Sequence, residues 1–187
     1  MSLEEEIVDY KENIEDILHW TTIKGEYRYC SIIEFLRSKG IECNWKNVTN
    51  YMRYDKRILV NSFKYIVLLE EVFKSFVCKY SKYSREEILG FSFKRAINEY
   101  INLGTKGNYD GIDVKSLRNN KENIIDFRNS VAHNKMLLNR TFEKDKSLEE
   151  TLRIYCEALP KSYRLGFKSD INKSVRGLVE NSWQIEI

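Results

Sequence analysis

Apolar side chains recur every three to four residues along most of the chain, which is the spacing of one face of an α-helix. This pattern predicts an amphipathic helix over residues 3–20 and a shorter helix over residues 30–39, which ends at Gly40. A short helix over residues 45–52 follows, and then a long helix over residues 55–80. The long helix has too many apolar positions for a surface helix, so we expect it to be the most buried one.

Two helix-capping motifs mark the starts of later helices. Ser84 and Glu87 have the spacing of a capping box, and the helix that they open is expected to end at Gly104. Ser147 and Glu150 form a second capping box, whose helix must stop before the single proline of the chain. Because one proline and eight glycines in 187 residues leave few other breaks, helix is favoured throughout.

The fold class that these patterns predict is all-α, a helical bundle with a smaller N-terminal helical extension. We expect residues 51–187 to form the bundle and residues 1–50 to form the extension. The loop at residues 104–111 leads into a helix over residues 117–136, which we expect to pack beside the long helix.

Composition and cysteine spacing exclude several classes of protein. Apolar residues make up 42% of the chain and charged residues 32%, which is the balance of a soluble domain. No apolar run reaches the ~18 residues of a membrane span, and the acidic N-terminus lacks the features of a signal peptide, so we expect a cytoplasmic protein. Scattered cysteines without a CxxC pair favour reduced core thiols, and neither a metal site nor a cofactor is expected. These cysteines are Cys30, Cys43, Cys78 and Cys156.

The charge of the chain is unevenly distributed. Residues 1–16 contain seven acids and one lysine, whereas the whole chain carries a net charge of +3, so the remainder is basic. Such an excess is typical of a protein that binds a polyanion, or of a solvated basic face.

Residues 29–52 have the helix–glycine–helix spacing of a helix-turn-helix, with basic residues on or after its second helix. A DNA-binding regulator that uses residues 29–57 is therefore one hypothesis.

The stretch IIDFRNSVAHNKM, residues 124–136, carries the most distinctive polar residues. Arg128 and His133 lie five positions apart, which separates them by ~140° on an ideal helix. Arg128 and Lys135 fall between two apolar stripes, and Asn129 lies one turn before His133, where it can orient the imidazole ring. In a single chain, the arginine and the histidine are therefore expected to point in different directions from the helix axis. This favours a two-fold interface at which the arginine of one copy approaches the histidine of the other.

An arginine and a histidine are chemically sufficient to cut RNA when a dimer brings two copies together. RNA carries its own nucleophile, the 2′-hydroxyl beside each phosphodiester. An imidazole can transfer protons near neutral pH, and a guanidinium binds phosphate through paired hydrogen bonds. The reaction requires no metal, and DNA, which lacks the 2′-hydroxyl, could not react in this way. The motif is therefore sufficient for metal-independent cleavage of RNA by a homodimer, although its spacing alone is weak evidence for that function.

The sequence RNSVAH resembles the R-N-x-x-x-H motif of the HEPN superfamily (higher eukaryotes and prokaryotes nucleotide-binding domain). YDKRILVNSFKYIVLLEEVF followed by FRNSVAHN is similar to the pattern of the Abi-like abortive-infection proteins of bacteria, and the resemblance covers residues 45–140. It implies a helical bundle that dimerises through its motif helices and acts on RNA as a metal-independent endoribonuclease, in phage defence or as a toxin. An antitoxin or a regulatory RNA is left open as a further partner.

Carried onto this chain, the resemblance implies that Arg128 holds the scissile phosphate, that His133 transfers protons and that Asn129 positions them. Glu70 falls on the glutamate of the family's long helix and is the expected partner of Arg128, although an ordinary charge at a helix edge explains it equally well. The expected supporting or substrate-binding residues are Glu70, Lys74, Asn134 and Lys135. A toxin–antitoxin branch of the superfamily has a tyrosine, modified by a nucleotidyltransferase, where this chain has Lys135. Control by that route is not expected.

Two further hypotheses belong to other classes of protein. One is a non-catalytic HEPN module that holds RNA or a protein partner without cutting, and the other is the DNA-binding regulator described above. Substitution of His133 distinguishes cutting from binding, and an assay with duplex DNA tests the regulator.

Overall fold

The computed structural model describes residues 2–104, 110–178 and 183–187, which form an all-α helical bundle without a β-strand in these ranges. The helices are α1 (Leu3–Glu6), α2 (Ile14–Lys24), α3 (Glu26–Ser38), α4 (Trp45–Tyr80), α5 (Arg85–Leu89), α6 (Phe93–Leu103), α7 (Val114–Ala132), α8 (Leu148–Ala158) and α9 (Lys161–Asn172). Single helical turns lie at Glu143–Asp145 and Lys173–Val175. The predicted fold class is confirmed. Most of the loop predicted at residues 104–111 lies outside the described residues.

The centre of the bundle is α4, which is 36 residues long. Helices α6, α7 and α9 pack along it, and α3 packs against its first half. Its fully buried side chains include Val48, Tyr51, Tyr54, Ile58, Leu69, Phe73 and Val77. The prediction that the motif helix packs beside residues 55–80 is therefore confirmed. Among the described helices α4 contributes the largest number of buried side chains, but α8 buries a larger fraction of its residues, so residues 55–80 are the most buried helix in number only.

The expected break between residues 52 and 55 is wrong, because α4 is continuous from Trp45 onward. Its N-terminus is capped by Asn44, whose side-chain oxygen accepts a hydrogen bond from the Asn47 amide at 2.9 Å. No glycine or proline follows within the helix. The buried rings of Tyr51 and Tyr54 hold the intervening turn against the core.

Two predicted helices are each divided in the structure. Residues 7–13 interrupt the helix expected over residues 3–20, since the amide of Val8 bonds to the Cys43 carbonyl and Asp9 accepts from the Trp45 amide at 2.7 Å. The helix expected to run from the first capping box to Gly104 ends at Leu89 and restarts after Ser92. Both predicted capping boxes are present, and the second one opens α8, which ends before the proline as expected.

The first and last parts of the chain meet on α4. The Tyr51 hydroxyl donates to the Trp183 carbonyl at 2.9 Å, and the Ile185 amide donates to the Tyr54 hydroxyl at 2.9 Å. Because α4 runs through residues 50 and 51, the proposed extension and bundle share one helix, and the division at residue 50 stays a prediction.

In the described ranges, no helix combines the length and apolar character that crossing a membrane requires. All four cysteines are free, but Cys78 is exposed, so the expectation of core thiols is wrong for it.

Candidate active site

The motif helix ends earlier than predicted. Helix α7 stops at Ala132, and His133 is the residue that terminates it. Asn134 adopts a left-handed conformation with φ of 53°, and the Lys135 amide bonds back to the Ser130 carbonyl at 2.9 Å. Lys135 therefore does not lie on the helix. The expectation that Lys135 and Arg128 lie on the same side of one helix, between two apolar stripes, is wrong. The physical reason is that the chain turns at Asn134 so that the next residues can enter the core.

Arg128 belongs to a compact polar cluster on the side of α4. Its Nη2 lies 3.3 Å from Oε2 of Glu70, and Oε1 of Glu70 lies 3.0 Å from Nζ of Lys74. The guanidinium lies 5.7 Å from the ring centre of Phe93, and its side chain is 27% exposed. Its buried Nε has no hydrogen-bond partner among the described residues. One carboxylate thus serves two cations, which leaves the cluster a net positive charge for an incoming anion.

Asn129 contacts the arginine rather than the histidine. Its Oδ1 accepts a hydrogen bond from Nη1 of Arg128 at 3.4 Å, which corrects the expectation that its side chain orients the imidazole. Its backbone carbonyl accepts from the His133 amide at 3.0 Å, as a residue four positions earlier does in any helix.

His133 is exposed and lines a cavity of about 450 Å³ with a cationic wall. Arg28, Lys135 and Arg140 line the same cavity. Arg140 is paired with Asp126 at 2.7 Å, whereas Arg28 and Lys135 have no carboxylate in ion-pair contact within the described ranges. The cavity around the histidine is therefore suited to a phosphate-bearing ligand.

The structure separates the expected site residues into two groups. Glu70, Lys74, Arg128 and Asn129 form the cluster on α4, and His133, Asn134 and Lys135 line the cavity. Over the part of the chain that the structure describes, no side-chain hydrogen bond or ion pair joins Arg128 to His133. The ~140° between them that the sequence predicts for an ideal helix stays a prediction.

Two side chains that hold the histidine turn in place were missed. Nη2 of Arg28 donates to the Asn134 carbonyl at 2.7 Å, and the Asp55 carboxylate accepts from the amides of Leu137 and Leu138 at 2.7 and 2.9 Å. Asp55 is 3% exposed and lies on the buried face of α4, so a charged residue among apolar positions was a usable signal. Nothing in the sequence connects Arg28 with Asn134.

Asp55 should make the stability of the fold depend on pH. Burial raises the pKa of Asp55 to about 6, against the opposing effect of the two amides and of Arg28 and Lys56. Between pH 4 and 6 the folded state therefore binds a proton that the unfolded state has lost, so stability falls as the pH rises through this window. Asp55→Asn keeps an accepting oxygen without the charge. Relative to this variant, the wild-type chain should lose on the order of 2–3 kcal/mol of unfolding free energy between pH 4 and 6.5.

Urea unfolding at several pH values measures this difference, with Asp16→Asn as the control at an exposed aspartate. Asp55→Ala should lower the free energy of unfolding by about 2–4 kcal/mol at pH 7, because two buried amides lose their acceptor. Parallel pH curves for the wild type and Asp55→Asn would show that the carboxyl is not held in the environment described here.

The residues proposed for a helix-turn-helix belong to the central packing of the bundle. The second helix of that motif is the start of α4, where Trp45, Val48 and Tyr51 are buried. Nη1 of Arg57 donates to the Arg176 carbonyl at 2.8 Å, and Nζ of Lys56 donates to Asn134 at 3.0 Å. These two cations tie other segments of the chain to α4.

Comparisons with known proteins add no identity to this geometry. The chain matches no protein-family model, no curated protein and no solved structure. In the described ranges, no group of three or more histidine, cysteine, aspartate or glutamate side chains is placed to hold a metal ion.

Proposed function

We propose that this protein is a metal-independent endoribonuclease of the HEPN and Abi-like type, which cuts RNA as a homodimer. The observation that carries the proposal is the end of α7. A half-buried arginine is held there by a carboxylate, and five residues later an exposed histidine stands in a cationic cavity. A role in phage defence or as a toxin rests on the sequence resemblance alone.

The proposed reaction uses the nucleophile that the substrate carries. The His133 imidazole accepts the proton of the 2′-hydroxyl, and the 2′-oxygen attacks phosphorus. The bond from phosphorus to the 5′-oxygen breaks, and the protonated imidazole returns the proton to that oxygen. Arg128 binds the phosphate oxygens and stabilises the negative charge that develops on them. The products are a 2′,3′-cyclic phosphate and a 5′-hydroxyl.

The homodimer is proposed because the two halves of the site face different directions in one copy. Helix α4 exposes three apolar side chains in a row, Val60, Phe63 and Val67, which are 56%, 50% and 42% exposed. Lys56 precedes this row and Glu70 follows it, and the alternating spacing of four and three residues places all five on one face of the helix. We call these five residues the α4 seam.

A second copy is the occupant that suits the α4 seam best. If two copies of α4 cross antiparallel at Phe63, Lys56 of one copy lies opposite Glu70 of the other, because both are seven positions from Phe63. Lys56 already contacts Asn134, next to the histidine, and Glu70 already contacts Arg128. The same pairing therefore directs the histidine of one copy towards the arginine of the other and completes the site.

The proposal is tested by incubating the purified protein with a mixed RNA pool and with a defined oligonucleotide in the presence of EDTA. We expect cleavage with EDTA present and products that carry a cyclic phosphate, identified by mass spectrometry. An oligonucleotide with a single 2′-deoxy substitution at the cut site should resist cleavage there, since it lacks the attacking oxygen. Its other sites serve as the internal control.

Either of two results would overturn this mechanism. One is equal cleavage of the 2′-deoxy substrate, and the other is activity that disappears with EDTA and returns with magnesium. RNA binding without cleavage under all these conditions would support the non-catalytic module instead.

A further inference from the structure

Two more hollows lie beside the cavity around His133, lined in part by residues of α2 and α3. The first, of about 360 Å³, shares Tyr27, Arg28 and Asn134 with the histidine cavity. The second, of about 90 Å³, shares Lys24 with the first. The three hollows are therefore neighbours in a row from the histidine to the N-terminal helices, and we call this row the groove.

This groove carries more cations than carboxylates, since the buried Asp55 is the one acidic side chain among the described residues that line it. Lys24 and Arg28 line it in the middle, and Arg53 lines its far end. Among the described residues, no carboxylate is in ion-pair contact with any of these three cations. Burial and the neighbouring charges of Arg53 and Arg28 lower the pKa of Lys24, which shows how closely the cations are grouped. A polyanion would relieve this repulsion.

Aromatic rings stand beside the cations. Tyr27 lines both larger hollows and is 66% exposed, and its hydroxyl accepts a hydrogen bond from Nε of Arg28 at 3.1 Å. Trp20 lines the far hollow, is 39% exposed and lies 4.6 Å from Nζ of Lys24. Exposed rings alternating with cations are the combination that binds single-stranded nucleic acid, because bases stack on the rings while the phosphates meet the cations.

We propose that this groove binds the single-stranded RNA that flanks the cut site, with Tyr27 and Trp20 stacking bases and Lys24 and Arg28 holding phosphates. The inference rests on the proposed ribonuclease function for its substrate, but it concerns residues that take no part in the chemistry. The groove makes the N-terminal helices a substrate-binding element.

Binding is measured with the His133→Ala protein, so that cleavage does not interfere. The probe is a fluorescein-labelled, unstructured 12-nucleotide RNA, and the readout is fluorescence anisotropy. Tyr27→Ala should weaken binding by about 5- to 150-fold, since stacking on an aromatic side chain is worth that much for one base. Tyr27→Phe keeps the ring and should bind within about threefold of the parent.

Charge and position are tested by two further measurements. Lys24→Gln should reduce the slope of log Kd against log salt by about 0.7, the value for one phosphate contact on a single strand. Lys82→Gln is the matched control, because Lys82 is exposed and follows the opposite end of α4. RNA should also quench tryptophan fluorescence, and Trp20→Phe should remove most of the quenching, since Trp45 is buried and Trp183 lines none of the three hollows.

The outcomes separate the groove from the ribonuclease. Cleavage by the wild type together with unchanged binding by Tyr27→Ala and Lys24→Gln would overturn the groove and leave the nuclease standing. Loss of binding by both variants in a protein that cuts no RNA would support the groove and overturn the nuclease. Preference for duplex RNA over the single strand would also overturn the groove, because paired bases cannot stack on the rings.

Discussion

Replacing His133 or Arg128 with alanine should lower the rate of RNA cleavage by about 10²- to 10⁴-fold. The histidine is exposed at a helix end, and the arginine is held by one carboxylate at 3.3 Å. His133 is outside the core, and without Arg128 the Glu70 carboxylate keeps Lys74 as its partner at 3.0 Å, so circular dichroism and sizing should show folded dimers. Single-turnover cleavage of a defined oligonucleotide measures the effect on the chemical step.

Each variant has a matched control in the same chain. His19→Ala removes the other histidine, which is exposed on α2 and lines none of the three hollows of the groove. Arg118→Ala removes an exposed arginine on α7 itself. Both controls should cleave at close to the wild-type rate. Arg128→Lys should stay well below it, because a lysine lacks the paired donors of a guanidinium. Full activity in His133→Ala would refute the assignment of the histidine.

Mixing the Arg128→Ala and His133→Ala proteins should restore activity that neither has alone. If each site takes its arginine from one copy and its histidine from the other, a mixed dimer has one intact site and one site that lacks both groups. After subunit exchange in an equal mixture, half of the dimers are mixed, so roughly a quarter of the wild-type activity should return. The measurement is the cleavage rate after co-refolding or co-expression.

The α4 seam supplies the control for this recovery. Phe63 is 50% exposed, and adding Phe63→Glu to both variants should place two negative charges at the axis and prevent pairing. The recovered activity should then disappear, and light scattering should show monomers. An absence of recovery in dimers that do exchange subunits would mean that each copy uses its own arginine and histidine.

Local chemistry in the sequence was enough to predict the helical character of this protein. Apolar periodicity located α3 and α4, because a helix must place one stripe of side chains against a core. The capping boxes at Ser84 and Ser147 were recognised because they require two residues at a set spacing and no tertiary contact. The spacing of Arg128 and His133 likewise predicted different directions for them on an ideal helix, and the structure places them in two groups without a hydrogen bond or ion pair between them in the described ranges.

Tertiary packing decided where those helices end. Residues 7–13 leave the helix because Asp9 accepts a hydrogen bond from the Trp45 amide. Helix α4 continues without a break because Tyr51, before the expected gap, and Tyr54, within it, are both buried. Helix α7 ends at His133 because the Asp55 carboxylate accepts hydrogen bonds from the amides of Leu137 and Leu138, which draws these residues towards α4. The contacts of Asp9 and Asp55 join residues that are 36 to 83 positions apart in the chain.

The candidate site shows the same division between neighbouring and distant residues. Its motif is contiguous in the chain and could be found from spacing alone. The pairing of Arg128 with Glu70 joins residues 58 positions apart, and the contact of Arg28 with Asn134 joins residues 106 positions apart. Hydrophobic periodicity specifies which face of a helix is buried, but not which helix covers it. The partners of a polar side chain are therefore set only when the packed helices bring distant residues within hydrogen-bonding distance.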